Sequence, residues 1–132
     1  MFTIEEGRAV LQAQPFSRLL GTELTEVDAD ERAVTLQLDL RDELRQQHGF
    51  LHGGVIAYLA DNALTFAGGL VLGPSVLTGS VNLDYLRPVS AGPVRARATV
   101  VEVAGRTAIC AVQVSSADDV CAVAQGRVRL VG

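Results

Sequence analysis

The chain has 132 residues, the length of one domain, and its 48% hydrophobic content supports a packed core and excludes a disordered chain. Its formal net charge of −4 argues against a nucleic-acid partner, because domains that bind nucleic acid are usually basic. All 11 basic residues are arginine, so any anionic group that the protein binds must be held by arginine side chains or by backbone amides.

The chain begins with a predicted pair of short helices. Thr3 and Glu6 have the spacing of a capping box, which predicts a helix from about Ile4 to Ala13. Pro15 is suited to the first turn of a second helix, and Gly21 is suited to its end. The first six residues lack the basic region and the apolar stretch of a secretory signal, so we expect a cytoplasmic protein.

The next segment, from Thr22 to Leu40, is predicted to form strands. Its second half alternates apolar and polar residues, which indicates a half-buried strand. The acidic cluster Asp28–Glu31 before that strand is typical of a hairpin turn.

A long apolar helix is predicted from about Gly53 to Leu70, because Gly68, Gly69 and Gly73 lie near its end and Pro74 lies beyond it. It contains Asp61, so no run of about 18 uncharged apolar residues remains, and we expect no membrane span. The rest of the chain predicts four strands with tight turns between them: Val76–Leu86, Val94–Val103, Thr107–Val114 and Val120–Leu130.

This order of elements predicts an α+β fold in which a curved antiparallel sheet wraps around one long helix. No linker or repeat divides the sequence, so we expect a single domain over residues 1–132, with residues 1–20 as a helical lead-in. The two cysteines, Cys110 and Cys121, are predicted to be small buried residues in strands. Neither they nor the two histidines have the spacing of metal ligands, and we expect no metal and no cofactor.

Asp61 is the residue whose position most suggests chemistry. It is a single carboxylate on a helix that is apolar on nearly all sides, and such a helix is normally buried. A buried carboxylate without a partner is costly. Asp61 therefore either has hidden hydrogen-bond partners or faces a cleft and acts there.

Gly53 marks the start of the same helix, where the first backbone amides have no partner within the helix. Such an amide, aided by the helix dipole, can polarise a carbonyl whose oxygen becomes negative; alternatively, Gly53 and Gly54 only permit a tight turn. Gly53 and Asp61 are about 12 Å apart along one helix. One helix cannot bring both groups to one bond, whereas two antiparallel copies can, so a catalytic role for this helix predicts at least a dimer.

Other polar residues accompany this pair. Thr65, one turn beyond Asp61, either orients a water or the carboxylate or bonds back to its own helix. Gln46 and His52 flank the loop before the helix, and we expect His52 to be a hydrogen-bond donor that orients its neighbours rather than an acid or base.

The pattern Gln46-x-x-Gly49-x-x-His52-Gly53-Gly54, followed by Leu59-Ala60-Asp61, resembles the signature of hotdog-fold acyl-CoA thioesterases of the phenylacetic-acid-degradation (PaaI-like) type. Residues 79–88, which end in Tyr-Leu-Arg-Pro, and the sequence Ala124-Gln125-Gly126 resemble later strands of that family. The similarity covers about residues 16–131.

The resemblance implies a hotdog fold and hydrolysis of an acyl- or aryl-acyl-CoA to the free acid and CoA. It implies that Asp61 is the catalytic carboxylate, as nucleophile or general base, and that the Gly53 amide of a partner subunit polarises the carbonyl. It also implies that other residues help to position the substrate or contact it, namely Gln46, His52, Gly54, Asn62, Thr65, Thr78 and Arg87. A homodimer, and further a homotetramer, is expected of the family. Arg87, Arg106 and Arg127 are either contacts for the CoA phosphates or ordinary surface charges.

Two other functions compete with this hypothesis. A hotdog-fold hydratase or dehydratase would need a histidine and a carboxylate placed for proton transfer, and the order of the motif fits that class less well. A non-catalytic acyl-CoA-binding module would bind without turnover, and loss of the carboxylate would be its simplest mark, yet Asp61 is retained.

Overall fold

The computed structural model describes residues 1–132 and contains three α-helices and six strands. The helices are α1 (Ile4–Gln12), α2 (Pro15–Leu20) and α3 (Gly53–Leu72). The strands are β1 (Glu23–Asp28), β2 (Ala33–Leu38), β3 (Val76–Tyr85), β4 (Val94–Ala104), β5 (Thr107–Ser116) and β6 (Asp119–Leu130). A short 3-10 turn at Asp42–Leu44 precedes the loop that leads into α3.

The predicted signals at the two N-terminal helices are confirmed. Thr3 and Glu6 form a capping box at the start of α1, in which each side chain bonds the backbone N–H of the other residue. Hydrogen bonding of the Glu6 carboxyl to the backbone N–H of Thr3, and then to the Thr3 side chain, lowers the pKa of that carboxyl. Pro15 begins α2, and Gly21 ends it in the left-handed conformation with φ of 72°.

All six strands form one antiparallel sheet in the order β1-β2-β4-β5-β6-β3. The sheet curves around α3, which confirms the predicted α+β hotdog architecture. Strand β3 follows α3 directly in the sequence, but it lies at the far edge of the sheet and pairs only with β6. Because β3 is an edge strand, its outer row of backbone groups has no partner within the chain.

Helix α3 lies against the concave face of the sheet, and small residues let it approach closely. Gly68 contacts Val128 of β6 so tightly that an added Cβ would stand 2.6 Å from the Val128 Cβ atom. Helix α3 is long and apolar enough to cross a membrane by length and composition. Most of its apolar window, 61%, is buried inside the domain, so it is the core helix of the fold.

The last hairpin differs from its prediction. Strand β6 begins at Asp119, inside the segment that was predicted to be a turn, and β5 continues to Ser116. The turn consists only of Ala117 and Asp118, which both have positive φ, as a two-residue hairpin connection requires. Alanine is rarely found in such a conformation, so the sequence gives no signal for this short turn.

The two cysteines are buried in strands, as predicted. Cys110 lies in β5 and Cys121 in β6, and both are free thiols. Burial raises the pKa of the Cys110 thiol to about 11, despite an opposing effect of Arg32, and also raises that of Cys121. Both thiols are therefore neutral at physiological pH.

Candidate active site

The N-terminus of α3 is formed by the predicted His-Gly-Gly sequence. His52 is the N-cap residue, and its Nδ1 atom accepts a hydrogen bond of 2.8 Å from the Gly54 N–H. This corrects the expectation that His52 acts as a structural donor, because Nδ1 is here an acceptor. An imidazole that accepts at Nδ1 and is neutral carries its proton on Nε2.

The Gly53 amide is the free donor at this helix start. Its N–H has no hydrogen-bond partner within the chain, whereas the Gly54 N–H is engaged by His52. Tyr85 of β3 covers Gly53: its hydroxyl donates to the Gly53 carbonyl at 2.7 Å, and its ring would lie 3.4 Å from an added Cβ. The arrangement presents an unengaged amide at the positive end of a 20-residue helix.

Asp61 is held by two hydroxyl groups from different elements. Thr78 of β3 donates to Asp61 Oδ1 at 2.5 Å, and the Thr65 hydroxyl lies 2.8 Å from the Thr78 hydroxyl. The single Thr65 hydroxyl hydrogen has two close acceptors, the Asp61 backbone carbonyl at 2.9 Å and the Thr78 oxygen, so its two proposed alternatives, a bond to its own helix and a link towards the carboxylate, compete for one hydrogen. The carboxylate is half-buried.

The second carboxylate oxygen, Asp61 Oδ2, has no hydrogen-bond partner within the chain. No buried side-chain nitrogen or oxygen lacks a partner, so this unpaired oxygen must be accessible. The carboxylate therefore has one oxygen fixed by Thr78 and one oxygen that can meet a water or a substrate carbon.

Gln46 lies in the loop before α3 and uses its side-chain oxygen to close that loop. Gln46 Oε1 accepts from the backbone N–H groups of His48 and Phe50 at 2.5 and 3.3 Å. Its side-chain amide nitrogen has no partner within the chain. Gln46 thus shapes the approach to the helix start and keeps two free donors there.

Two of the predicted substrate contacts lie away from Asp61. The Asn62 side chain bonds to Gln14 and Ser17 of the N-terminal helical segment. The Arg87 guanidinium donates to the backbone carbonyl of Val120, and it lies on the surface.

A polar cluster lies between α2 and α3, and the sequence did not predict it. It is formed by five side chains: Gln14, Ser17, Thr22, Tyr58 and Asn62. The one available signal was the pair Tyr58 and Asn62, two polar residues four positions apart on a helix that is otherwise apolar. Their partners lie more than 30 residues away in the sequence, so no local pattern identifies them.

The arrangement provides two of the elements that acyl transfer to water needs: a donor for a developing oxyanion and a positioned carboxylate with a free oxygen. The two stand at different points of α3, about 12 Å apart along the axis. No group of three or more His, Cys, Asp or Glu side chains is arranged to hold a metal ion.

Comparisons with known proteins agree with this chemistry. The sequence profile of the Thioesterase superfamily matches residues 48–123, which is more than half of the chain. The crystal structure of a thioesterase from Haemophilus influenzae superposes with a TM-score of 0.88 at 26% sequence identity, over 100% of this chain and 92% of that one. A mutant of the phenylacetic acid degradation protein PaaI from Thermus thermophilus gives a TM-score of 0.81 at 32% identity, over 89% of this chain and 100% of that one.

A 1,4-dihydroxy-2-naphthoyl-CoA hydrolase from Listeria monocytogenes is 26% identical over 98 residues, which is 73% of this chain and 78% of that protein. The profile match and the fold confirm the resemblance drawn from the helix motif. The chain belongs to the thioesterase superfamily, and it is a thioester hydrolase with a hotdog fold of the PaaI-like type.

Proposed function

We propose that the protein hydrolyses an acyl- or aryl-acyl-CoA thioester to the free acid and CoA, with Asp61 as the catalytic carboxylate. The observation that carries this proposal is the state of Asp61, whose Oδ1 accepts from Thr78 at 2.5 Å while Oδ2 is unpaired and accessible. A carboxylate held in this way has a fixed orientation and still presents one oxygen to a substrate.

The oxyanion donor in the proposal is the Gly53 amide of a partner subunit. Because the two groups lie about 12 Å apart on one helix, the carbonyl held by Gly53 is out of reach of Asp61 of the same chain. An antiparallel pair of α3 helices places Gly53 of each copy near Asp61 of the other. The active unit is then a homodimer with two equivalent sites.

The edge strand β3 supports such a pairing. Val81 and Tyr85 pair in register with the inward-facing Gly126 and Ala122 of β6, so their side chains lie on the concave face, yet they are 38% and 54% exposed. The single helix α3 thus leaves the concave face uncovered at this edge. A second copy joined at β3 would extend the sheet and bring its own α3 to the uncovered part.

Two chemical routes are consistent with the geometry. As a nucleophile, Asp61 would attack the thioester carbon, the C–S bond would break, and water would then hydrolyse the mixed anhydride and restore the carboxylate. As a general base, Asp61 would take a proton from the attacking water, and that proton would finally reside on the departing CoA thiol.

Positioning roles are proposed for Gln46, His52 and Thr65, and contacts with the substrate for Gly54, Asn62, Thr78 and Arg87. The engagement of His52 Nδ1 by the Gly54 amide disfavours the alternative hydratase chemistry. In a hydratase this histidine would need a carboxylate partner for proton transfer, and no carboxylate of the same chain contacts it. Assembly into a homotetramer, and a cytoplasmic location, are further parts of the proposal that rest on the family resemblance.

The first test measures release of free thiol from a panel of aryl and fatty acyl-CoA substrates. We expect Asp61→Asn to lose at least about a hundredfold in rate, as loss of a nucleophile or base does. Asp30→Asn is the matched control, because Asp30 is an exposed carboxylate in the turn between β1 and β2, without a hydrogen-bond partner and away from the edge strand β3. Near-full activity of Asp61→Asn would remove this carboxylate from the mechanism.

The second test asks whether the two groups come from different subunits. Gly53→Pro removes the amide hydrogen and suits the backbone, because proline is favoured at the first helical position and His52 already has the extended conformation that precedes proline. It also adds a ring whose Cβ would stand 3.3 Å from the Tyr85 hydroxyl, so Gly53→Ala, which adds the same Cβ, is its matched control. We expect a loss of about 10²–10³ in rate, whereas Gly53→Ala keeps the amide and most of the activity.

Mixing inactive Asp61→Asn protomers with inactive Gly53→Pro protomers then gives a decisive result. Each mixed dimer would contain one site with both intact groups and one site with neither. Activity should therefore reappear on mixing, at about half the parent rate per mixed dimer. If the two groups acted within one chain, every site would keep one defect and mixing would restore nothing.

A further inference from the structure

A cavity of about 650 Å³ lies between α1 and α3. Its walls are largely apolar and include Val10 of α1 and Phe66 and Leu70 of α3. Thr65 also lines it, and the Thr65 hydroxyl lies 2.8 Å from the Thr78 hydroxyl and 3.5 Å from Asp61 Oδ1, so one lining residue connects the cavity with the proposed catalytic carboxylate. Its volume is typical of a site for a small organic molecule.

One side of this cavity is polar, because the amides of Gln14 and Asn62 both line it. Ser17 donates to Gln14 Oε1 at 2.6 Å, and Asn62 donates to the same oxygen at 3.0 Å. Having donated its only hydrogen, the Ser17 hydroxyl must accept from Tyr58, which lies 2.7 Å away. Tyr58 in turn must accept from Thr22, also at 2.7 Å.

The cluster is therefore a hydrogen-bond relay, in which each hydroxyl donates to the next, from Thr22 through Tyr58 and Ser17 to Gln14 Oε1. Two groups remain without a partner in the chain, namely the Gln14 side-chain N–H₂ donors and the Asn62 Oδ1 acceptor. Both residues are only half-buried, and no buried polar atom lacks a partner, so these two atoms are accessible. They provide a donor and an acceptor on residues that line the cavity, whose other polar side chains are Glu6 and Thr65.

We infer that Gln14 is a specificity-determining residue that, together with Asn62, recognises a hydroxyl group on the acyl part of the substrate. A hydroxyl can accept from the Gln14 amide and donate to Asn62 Oδ1 at the same time, whereas a carbonyl can only accept. The apolar remainder of the cavity takes the hydrocarbon or aromatic skeleton. This inference rests on the proposed function, since it assigns the acyl group of that substrate to this cavity.

The relay explains why the N-terminal helices matter for specificity. Tyr58 and Asn62 belong to the catalytic helix, while Gln14 and Ser17 belong to the segment in front of the first strand. Because Ser17 and Asn62 both occupy the Gln14 oxygen, the Gln14 amide cannot rotate without breaking two hydrogen bonds. A site that is built around a substrate hydroxyl discriminates strongly against an analogue without one, because its polar groups are then left unpaired.

The test compares kcat/KM for pairs of CoA thioesters that differ only by one hydroxyl, such as benzoyl-CoA against its hydroxybenzoyl counterparts and a short acyl-CoA against its hydroxyacyl counterparts. We expect the parent protein to prefer the hydroxylated member of at least one pair by about tenfold or more. Gln14→Leu should reduce that ratio to about one. Gln12→Leu, the same change at an exposed position of α1, should leave the ratio unchanged.

Tyr58→Phe provides an independent variant, because it breaks the relay without touching the cavity wall at Gln14. It should lower the preference, since Ser17 and Gln14 lose their fixed orientation. Equal rates for both members of every pair in the parent protein, or an unchanged ratio in Gln14→Leu, would overturn the inference and leave the proposed thioesterase function intact. Absence of thiol release from every thioester would overturn the proposed function itself.

Discussion

Two adjacent glycines of α3 offer a sharp test of how the helix packs. Gly68 and Gly69 both lie inside the helix, where glycine is about 1 kcal/mol less favourable than alanine. An added Cβ at Gly69 would be 3.8 Å from Phe2 and Val76, which is ordinary van der Waals contact. An added Cβ at Gly68 would stand 2.6, 2.6 and 2.9 Å from three side-chain carbons of Val128.

The same substitution should therefore have opposite effects at the two positions. For Gly69→Ala we expect a gain of about 0.5–1 kcal/mol in the free energy of unfolding, because only the helix preference changes. For Gly68→Ala the gain is outweighed, since Val128 is 0% exposed on a strand paired on both sides and cannot move aside. Overpacking of this kind costs typically about 1–3 kcal/mol, so we expect a net loss of about 1–2 kcal/mol.

Urea unfolding followed by far-ultraviolet circular dichroism, at one fixed protein concentration, measures both changes. The parent protein is the reference, and the slope of free energy against urea should stay constant in all three proteins. If Gly68→Ala proved as stable as the parent, or if both variants shifted in the same direction, the close approach of helix and sheet at this point would be wrong.

Two further predictions concern the carboxylate and the thiols. Thr78→Val removes the O–H that bonds Asp61 and keeps the side-chain shape, so kcat should fall by about tenfold or more with little change in KM. Thr78→Ser keeps the hydroxyl and should retain the parent kcat. A loss of kcat in both variants, together with a lowered melting temperature, would indicate a structural role instead. Cys110, whose pKa is raised to about 11, should resist alkylation in the native protein at pH 8 and react only on unfolding. The raised pKa means that folding favours the neutral thiol, so the free energy of unfolding should fall as pH rises above 9.0, the ordinary pKa of a thiol. Rapid alkylation of Cys110 in the native protein would contradict its burial.

The elements were predictable where local chemistry sets their limits. Thr3, Pro15 and Gly21 mark helix ends through caps and turns that need only neighbouring residues, and the structure agrees within one or two residues. Strand order is not local. Nothing in the sequence of β3 shows that it crosses to the far edge of the sheet and pairs with β6, because that choice depends on backbone partners far along the chain, from Val76 with Leu130 to Tyr85 with Ala122.

The site was predictable to the same extent. Asp61 stood out because a carboxylate on an apolar helix needs a partner or a cleft, and Gly53 because a glycine at a helix start leaves a backbone amide open to a ligand. Thr78 was suggested only by the family resemblance, since its contact with Asp61 depends on the sheet position of β3. Gln14 had no local signal at all, because its partner Asn62 is 48 residues away.

The contact between Gly68 and Val128 has a consequence for the chemistry as well as for stability. Val128 is the register partner of Thr78, and Thr78 is the residue that bonds Asp61. The absence of a side chain at Gly68 thus sets the distance between α3 and the part of the sheet where Thr78 bonds Asp61. The position of the Asp61 carboxylate thus depends on the absence of one methyl group at Gly68, about two helical turns away. If Asp61 is the catalytic group, a displacement of about 1 Å at that point would cost about 10²-fold in rate.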